Sequence, residues 1–214
     1  MIRYRTTIDI SRPLDAFTVT YPSALDTPFV REELRNAPDK PYGMNAKLTM
    51  GAHSGTHVDA PLHVLEANKG VDRSPITAMI GACRVLDMTH VPDLVRITDL
   101  EMLDITKGER VILKTRNSVR GFKEWYDDFI ALDPDAAVWL AEKGVILVGI
   151  DSLSIKQRSV PDNRAHTALL EKGIVIVEGL SLGKVAPGKY DLVVLPLRVI
   201  DGDGAPARAV LLAE

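Results

Sequence analysis

Asp133-Pro134-Asp135-Ala136-Ala137-Val138-Trp139-Leu140-Ala141-Glu142-Lys143-Gly144-Val145-Ile146-Leu147-Val148-Gly149-Ile150 reads as a helix feeding a buried strand. Asp133 is a capping acid. Pro134 suits the first helical position, where no backbone N–H is needed, and Gly144 can take the left-handed geometry that ends a helix. Val145 to Ile150 is an apolar run of strand length, as expected of a strand covered on both faces. Toward the C-terminus, His166 to Lys172 gives a second short helix ended by Gly173, and Ile174–Val177, Leu192–Leu195 and Ala209–Leu212 read as strands. Toward the N-terminus, Arg110–Lys114 and Cys83–Met88 are strands, and Thr98-Asp99-Leu100-Glu101 has capping-box spacing for a short helix. Helices alternating with buried strands predict an α/β layered domain.

The first third is different. Thr7–Ile10 reads as a short strand, but Pro13, Pro22, Pro28, Pro38 and Pro41 then punctuate the chain and disfavour long helices. Val30–Asn36 has room for one or two helical turns. So long a stretch with little regular structure suits a binding loop or an arm that embraces a partner. With no internal repeat, low-complexity tract or linker, one domain over 1–214 is expected.

Composition narrows the function classes. The 214 residues are 46% hydrophobic and 26% charged, the balance of an ordinary globular protein, which sets aside disorder and fibrous classes. A net charge of -3 is too near neutral to hold the chain on nucleic acid or an anionic membrane. The single cysteine, Cys83, rules out an internal disulfide and a thiolate-rich metal site, and inside a strand it reads as a small buried hydrophobe. No apolar run reaches the roughly 18 to 20 residues of a spanning helix, and Met1-Ile2-Arg3-Tyr4-Arg5-Thr6 lacks a secretion signal's apolar stretch. The expectation is a cytoplasmic protein acting on a small molecule.

The chemistry concentrates in His53-Ser54-Gly55-Thr56-His57-Val58-Asp59-Ala60-Pro61-Leu62-His63, which holds three of the chain's five histidines. The bland alternative is a solvated polar loop with core-facing histidines. On a helix, His53 and His57 would share a face while Asp59 and His63 pointed away. In extended chain all four odd positions project the same way, but a straight strand would part His53 from His63 by about 33 Å. The segment must therefore bend, and Gly55 and Pro61 are the residues that allow it. Imidazole and carboxylate without sulfur suit Zn²⁺, Mn²⁺ or Fe²⁺ rather than Ca²⁺, and three clustered ligands fit an open, catalytic site better than a closed structural one.

Further ligands must come from elsewhere. Glu178 ends an apolar strand, where a buried carboxylate needs a partner, and His166 opens a predicted helix; by themselves they read as a solvated strand-end acid and a helix-start surface residue. Asp151, at a strand end, is left unassigned between site residue and turn cap. Arg116-Asn117-Ser118 reads as a solvated loop, and Trp125, Tyr126 and Phe129 as packing or interface aromatics on a short helix.

The motif H-x-G-T-H-x-D-x-P-x-H over His53–His63 resembles the signature of the metal-dependent cyclase family, to which the bacterial kynurenine formamidases (arylformamidases) belong. Asp9-Ile10-Ser11, Val148-Gly149-Ile150-Asp151, Glu178-Gly179-Leu180, Leu195-Pro196-Leu197 and Pro206-Ala207-Arg208-Ala209 resemble further family landmarks in order along the chain. The resemblance implies a swivelling β/β/α single domain with a mixed sheet and a loop-rich N-terminal third, assembled as a homodimer or larger. It implies that His53, His57 and Asp59 hold one divalent metal and that Asp59, His166 and Glu178 hold a second. Zn²⁺ is the first expectation and Mn²⁺ the alternative, with one or two ions per chain. His63 would be the proton donor and acceptor, with a fourth-ligand or ligand-orienting role as its alternative.

Two departures bear on the substrate: Tyr21-Pro22 stands where formamidases carry Trp-Pro, and Lys156-Gln157 follows Ser154-Ile155 where they tend to have Asp-Pro. The implied reaction is hydrolysis of a small carbon–nitrogen amide, N-formyl-L-kynurenine by default, with Tyr21 in the substrate wall. A cyclic amide or imide, a lactone, or a non-catalytic metal-stabilised binding protein are the alternatives.

Overall fold

The computed structural model describes residues 4–23, 27–66, 69–158 and 160–213. Met1 to Arg3, part of the stretch read against a secretion signal, lie outside the described residues. In chain order the elements are β1 (Thr6–Asp9), β2 (Val30–Arg35), β3 (Met44–Thr49), β4 (His57–Asp59), α1 (Ile76–Met79), β5 (Ile80–Met88), β6 (Leu94–Val95) and α2 (Ile97–Leu100). There follow β7 (Arg110–Thr115), α3 (Asn117–Arg120), β8 (Ala131–Leu132), α4 (Pro134–Lys143), β9 (Leu147–Ile150), α5 (Arg164–Glu171), β10 (Val175–Glu178), β11 (Gly188–Pro196) and β12 (Gly204–Ala213). The α/β class and mixed sheet are as the sequence predicts.

The main sheet runs β1-β12-β11-β5-β7-β9-β10-β4, and β4 also pairs with β12, so the strands from β4 round to β12 close into a barrel-like ring. The run β5-β7-β9-β10 is parallel and the remaining pairings are antiparallel. β4 and β1 follow one another along β12, at Gly204–Pro206 and Val210–Ala213.

Alternation along the parallel strands explains why they read as continuous apolar runs. Ile112, Leu147, Val175 and Val177 point into the ring with Val58, Leu192 and Leu211. Val111, Leu113, Val148, Ile150 and Ile176 point outward, under Leu140 of α4 and Leu169 of α5. At about 25 cal/mol per Å² of apolar surface buried, two such cores supply the main driving force for the fold.

Local signals account for α4. The Asp133 side chain accepts from the N–H groups of Asp135 (2.9 Å) and Ala136 (3.4 Å), Pro134 opens the helix, and Gly144 closes it at φ 74°. Two expectations fail. Val30–Arg35 is strand rather than helical turns, paired with β3 and exposed along its length. Its i, i+2 charges line one strand face, with Glu33 2.8 Å from both Arg31 and Arg35, and Glu32 reaches Lys47 across the pair at 3.0 Å. The cap of α2 is also displaced: the helix starts at Ile97, and Asp99, not Glu101, accepts from the N-cap backbone, that of Arg96, at 2.7 Å. Among the described residues no helix is long and apolar enough to cross a membrane.

Candidate active site

β4 lies antiparallel between β10 and β12, with His57 opposite Glu178 and Asp59 opposite Gly204. Residues two apart on a strand share a face, so His57 and Asp59 point together while Val58 enters the barrel core. The bend inferred from sequence is present on both sides of β4. Gly55 takes φ +62°, and Pro61 opens a 3₁₀ turn over Pro61–His63 in which His63 N–H donates to Ala60 O at 2.9 Å. His63 thereby folds back until its ring centroid lies 4.1 Å from that of His53 and 5.6 Å from that of His166.

The loop is anchored to the far strand by a close backbone approach. At Gly179, φ +68°, an added Cβ would lie 2.1 Å from Gly55 O, a contact no side chain could make. The Thr56 hydroxyl donates to Gly179 O at 2.6 Å and accepts the Arg12 N–H at 2.9 Å.

His166, on α5, and Glu178, at the end of β10, are both buried, at 5% and 3% exposure. The readings that treated them singly as surface groups are overturned, because the helix and strand ends converge on β4. Glu178 lies 3.2 Å from His57 Nε2 and 3.4 Å from His166 Nε2. Asp59 turns Oδ1 to His53 Nδ1 (2.9 Å) and His57 Nε2 (3.5 Å), and Oδ2 toward His166 Nε2 (3.7 Å). Ligand atoms of His53, His57 and Asp59 lie within 4.8 Å of one another, and so do those of Asp59, His63 and His166.

These groups fit a divalent cation. His57 Nδ1 lies 3.0 Å from Gly55 O, where its N–H donates, which leaves Nε2 as the lone-pair nitrogen facing the carboxylates. His57 Nε2, Asp59 Oδ2 and His166 Nδ1 are buried without a hydrogen-bond partner, an arrangement that is costly unless something else satisfies them. The buried acids polarise the cluster. Burial raises the Asp59 pKa, but hydrogen bonding and charge from His53, with His57 and His63, bring it well below the ordinary carboxylate range. Glu178 is raised by burial and by Asp59 yet held down overall by His166 and His57. Burial lowers His53, but its contacts with Asp203 and Asp59 lift it to about 10. His63 is lowered, first by burial and then by the neighbouring imidazoles.

Burial, with smaller contributions from Glu178 and Asp127, raises the Tyr21 hydroxyl pKa. The Tyr21 ring meets Trp125 edge-on at 4.9 Å, and Trp125 meets Phe129 at 5.3 Å. Trp125 and Phe129 lie on irregular chain rather than a short helix, so they form an aromatic wall continuous with Tyr21.

Arg116-Asn117-Ser118 is not a solvated loop. Asn117 is buried at the start of α3, its amide donates to Ile130 O at 2.8 Å, and the Ser118 N–H donates to Asp151 at 3.1 Å. Asp151 itself is fully buried. One neighbour escaped sequence reasoning: Asp203, whose Oδ2 lies 2.9 Å from His53 Nε2 and 3.7 Å from His63 Nδ1. In sequence, Asp201-Gly202-Asp203-Gly204 reads only as a turn.

The Cyclase family model matches residues 8–157. The kynurenine formamidase of Salinibacter ruber is 39% identical over 204 residues, 95% of this chain and 96% of that protein. That of Bacillus anthracis is 37% identical over 205 residues with the same coverage. Among solved structures, a predicted metal-dependent hydrolase from Bacillus stearothermophilus superposes with a TM-score of 0.86 at 33% identity, covering 98% of both chains. Isatin hydrolase A from Labrenzia aggregata shares the fold, with a TM-score of 0.82 at 23% identity over 97% of this chain and 93% of that one. With the family pattern matched across most of its length and formamidase relatives covering nearly all of it, the chain belongs to the Cyclase family.

Proposed function

We propose that this chain is a metal-dependent amidohydrolase whose substrate is N-formyl-L-kynurenine, released as kynurenine and formate. The observation that carries the reading is the convergence of His53, His57, His166, Asp59 and Glu178 on one another, with His57 Nε2 and Asp59 Oδ2 buried and lacking a hydrogen-bond partner. The formamidase relatives support the substrate. His53, His57 and Asp59 would hold one ion, and Asp59, His166 and Glu178 a second. The imidazole and carboxylate donor set favours zinc first and manganese second.

A divalent cation bound there supplies Lewis acidity toward a carbonyl and brings the pKa of bound water down to about 7 in the best zinc cases. The protein's own groups do the rest. His63 is exposed beside the buried cluster, where it can accept a proton from water and return it to the departing nitrogen; an aryl amine does not leave as an anion. Asp59 and Glu178 hold the positive charge of the cluster in a dry site. Tyr21 and Trp125 offer ring faces and edges to an aryl group, which orients the formyl end toward the histidines. The net change adds water's hydroxyl to the formyl carbon and its proton to the nitrogen as the carbon–nitrogen bond breaks. A homodimer or larger assembly is part of this reading, and the exposed β2–β3 pair offers it a surface.

Hydrolysis by zinc-loaded and manganese-loaded protein, read as formate release from N-formylkynurenine and as ring opening of cyclic amides, imides and lactones, tests the substrate. Turnover of N-formylkynurenine is expected. Its absence with either metal would remove this reading, and turnover of a ring substrate alone would replace it. His63→Asn should retain metal while kcat falls about 10²- to 10⁴-fold; loss of metal and fold together would instead make the cluster structural.

A further inference from the structure

Asp203 belongs to neither predicted metal set, yet the structure builds it into the site. It immediately precedes β12, in the turn where that strand meets β4. Its carbonyl accepts the Ala60 N–H at 2.9 Å, and the preceding Gly202 carbonyl accepts the Val71 N–H at 2.8 Å. The next residue, Gly204, lies against His53, where an added Cβ would come within 2.7 Å of the ring's Cε1. The backbone is therefore clamped on both sides of the carboxylate, and a single oxygen of that carboxylate faces two rings: Oδ2 is 2.9 Å from His53 Nε2 and 3.7 Å from His63 Nδ1.

We propose that Asp203 is a positioning residue that sets which nitrogen of His53 is presented to the reaction site. The assignment rests on the amidohydrolase reading above. His53 has one nitrogen toward Asp59 Oδ1 and the other toward Asp203. For Nδ1 to offer a lone pair on the Asp59 side, Nε2 must keep its hydrogen, and Asp203 is the acceptor that receives it. This is the carboxylate–histidine arrangement that orients a ligand ring and raises its basicity. His63 Nδ1 lies 3.7 Å from the same oxygen, beyond hydrogen-bond reach, and meets it as a charge contact. One carboxylate thus couples a ring that would hold metal to the ring that would move the proton.

The test compares wild type, Asp203→Ala, Asp203→Asn and Asp201→Asn in the full-length protein, using zinc alone as the first probe. Asp201 sits on the same turn and pairs with Arg73, away from the histidines, so its variant reports disruption of the turn. Competition against a chromophoric chelator is expected to show zinc bound about 10- to 100-fold more weakly in Asp203→Ala, less so in Asp203→Asn, and within about twofold of wild type in Asp201→Asn. Nitrogen-15 spectra of the zinc-loaded protein should lose the defined His53 tautomer in both Asp203 variants, and kcat should fall about tenfold or more with little change in KM. Circular dichroism checks folding, and the isosteric Asp203→Asn carries the comparison where Asp203→Ala does not fold. The proposal is overturned if folded Asp203 variants match wild type in zinc affinity, tautomer signals and kcat, or if Asp201→Asn loses as much as they do. Zinc competition needs no substrate, so weakened zinc binding alongside an inactive wild type would defeat the amidase reading and leave Asp203 in place.

Discussion

At the scale of single residues, Asp151 shows how a group that local sequence leaves ambiguous becomes decisive in three dimensions. At the end of β9 its buried carboxylate accepts from Thr115 N–H (3.0 Å), Thr115 Oγ1 (2.7 Å), Ser118 N–H (3.1 Å) and the Asn117 amide (3.3 Å). Burial raises its pKa, and those hydrogen bonds oppose the rise. The network ties the start of α3 to the ends of β7 and β9. Asp151→Ala would leave several buried donors unmatched at about 1–3 kcal/mol each, so a loss of roughly 3 kcal/mol or more is expected. Urea denaturation reads it, and an unchanged midpoint would show that the donors find other acceptors. The contrast with His53, His57, Asp59 and His63 is instructive. Their types and spacing are a local pattern, visible in eleven residues, whereas the partners of Asp151 lie more than thirty positions away in sequence.

At the scale of elements, short-range signals work where they are self-contained. The cap, first-turn proline and terminal glycine of α4 lie within a dozen residues, and the helix forms as read. For β2 the deciding partner, β3, lies across a proline-containing connection, and cross-strand charge pairing decides what local propensity leaves open. β1 offers a measurable case of long-range pairing. Asp9, opposite Val210, accepts from Arg208 Nε at 3.0 Å and Nη2 at 2.6 Å. Its pKa is lowered, chiefly by that hydrogen bonding. A carboxylate whose folded pKa is depressed adds stability above its unfolded value and loses it as pH falls through the folded one. Asp9→Asn should therefore lower Tm slightly at pH 7, and the deficit should shrink below about pH 3.9, the ordinary value for aspartate, and vanish under the folded pKa. Thermal melts across that range check it; an equal deficit at all pH values would assign the effect to packing.

At the scale of the whole molecule, the barrel interior and the helix-covered face are two apolar cores that share the parallel strands. Neither depends on the His/Asp/Glu cluster, which sits at the strand ends. Protein stripped by chelation is accordingly expected to keep its secondary structure and a cooperative, lower-temperature melt while losing turnover. Circular dichroism before and after chelation reads this, and cooperative unfolding on metal removal would mean that the cluster holds the fold together.

Short-range pattern carries the alternation of helices with buried strands, the capped α4, and a bent, histidine-rich loop whose bend falls at Gly55 and Pro61. Burial of His166 and Glu178, the closure of β12 onto β4 and the approach of Asp203 to two histidines were decided only by the tertiary structure. The physical reason is distance along the chain. Asp203 is 150 positions from His53, and nothing in a Gly-rich turn reveals where its carboxylate goes until the strands that flank it have paired.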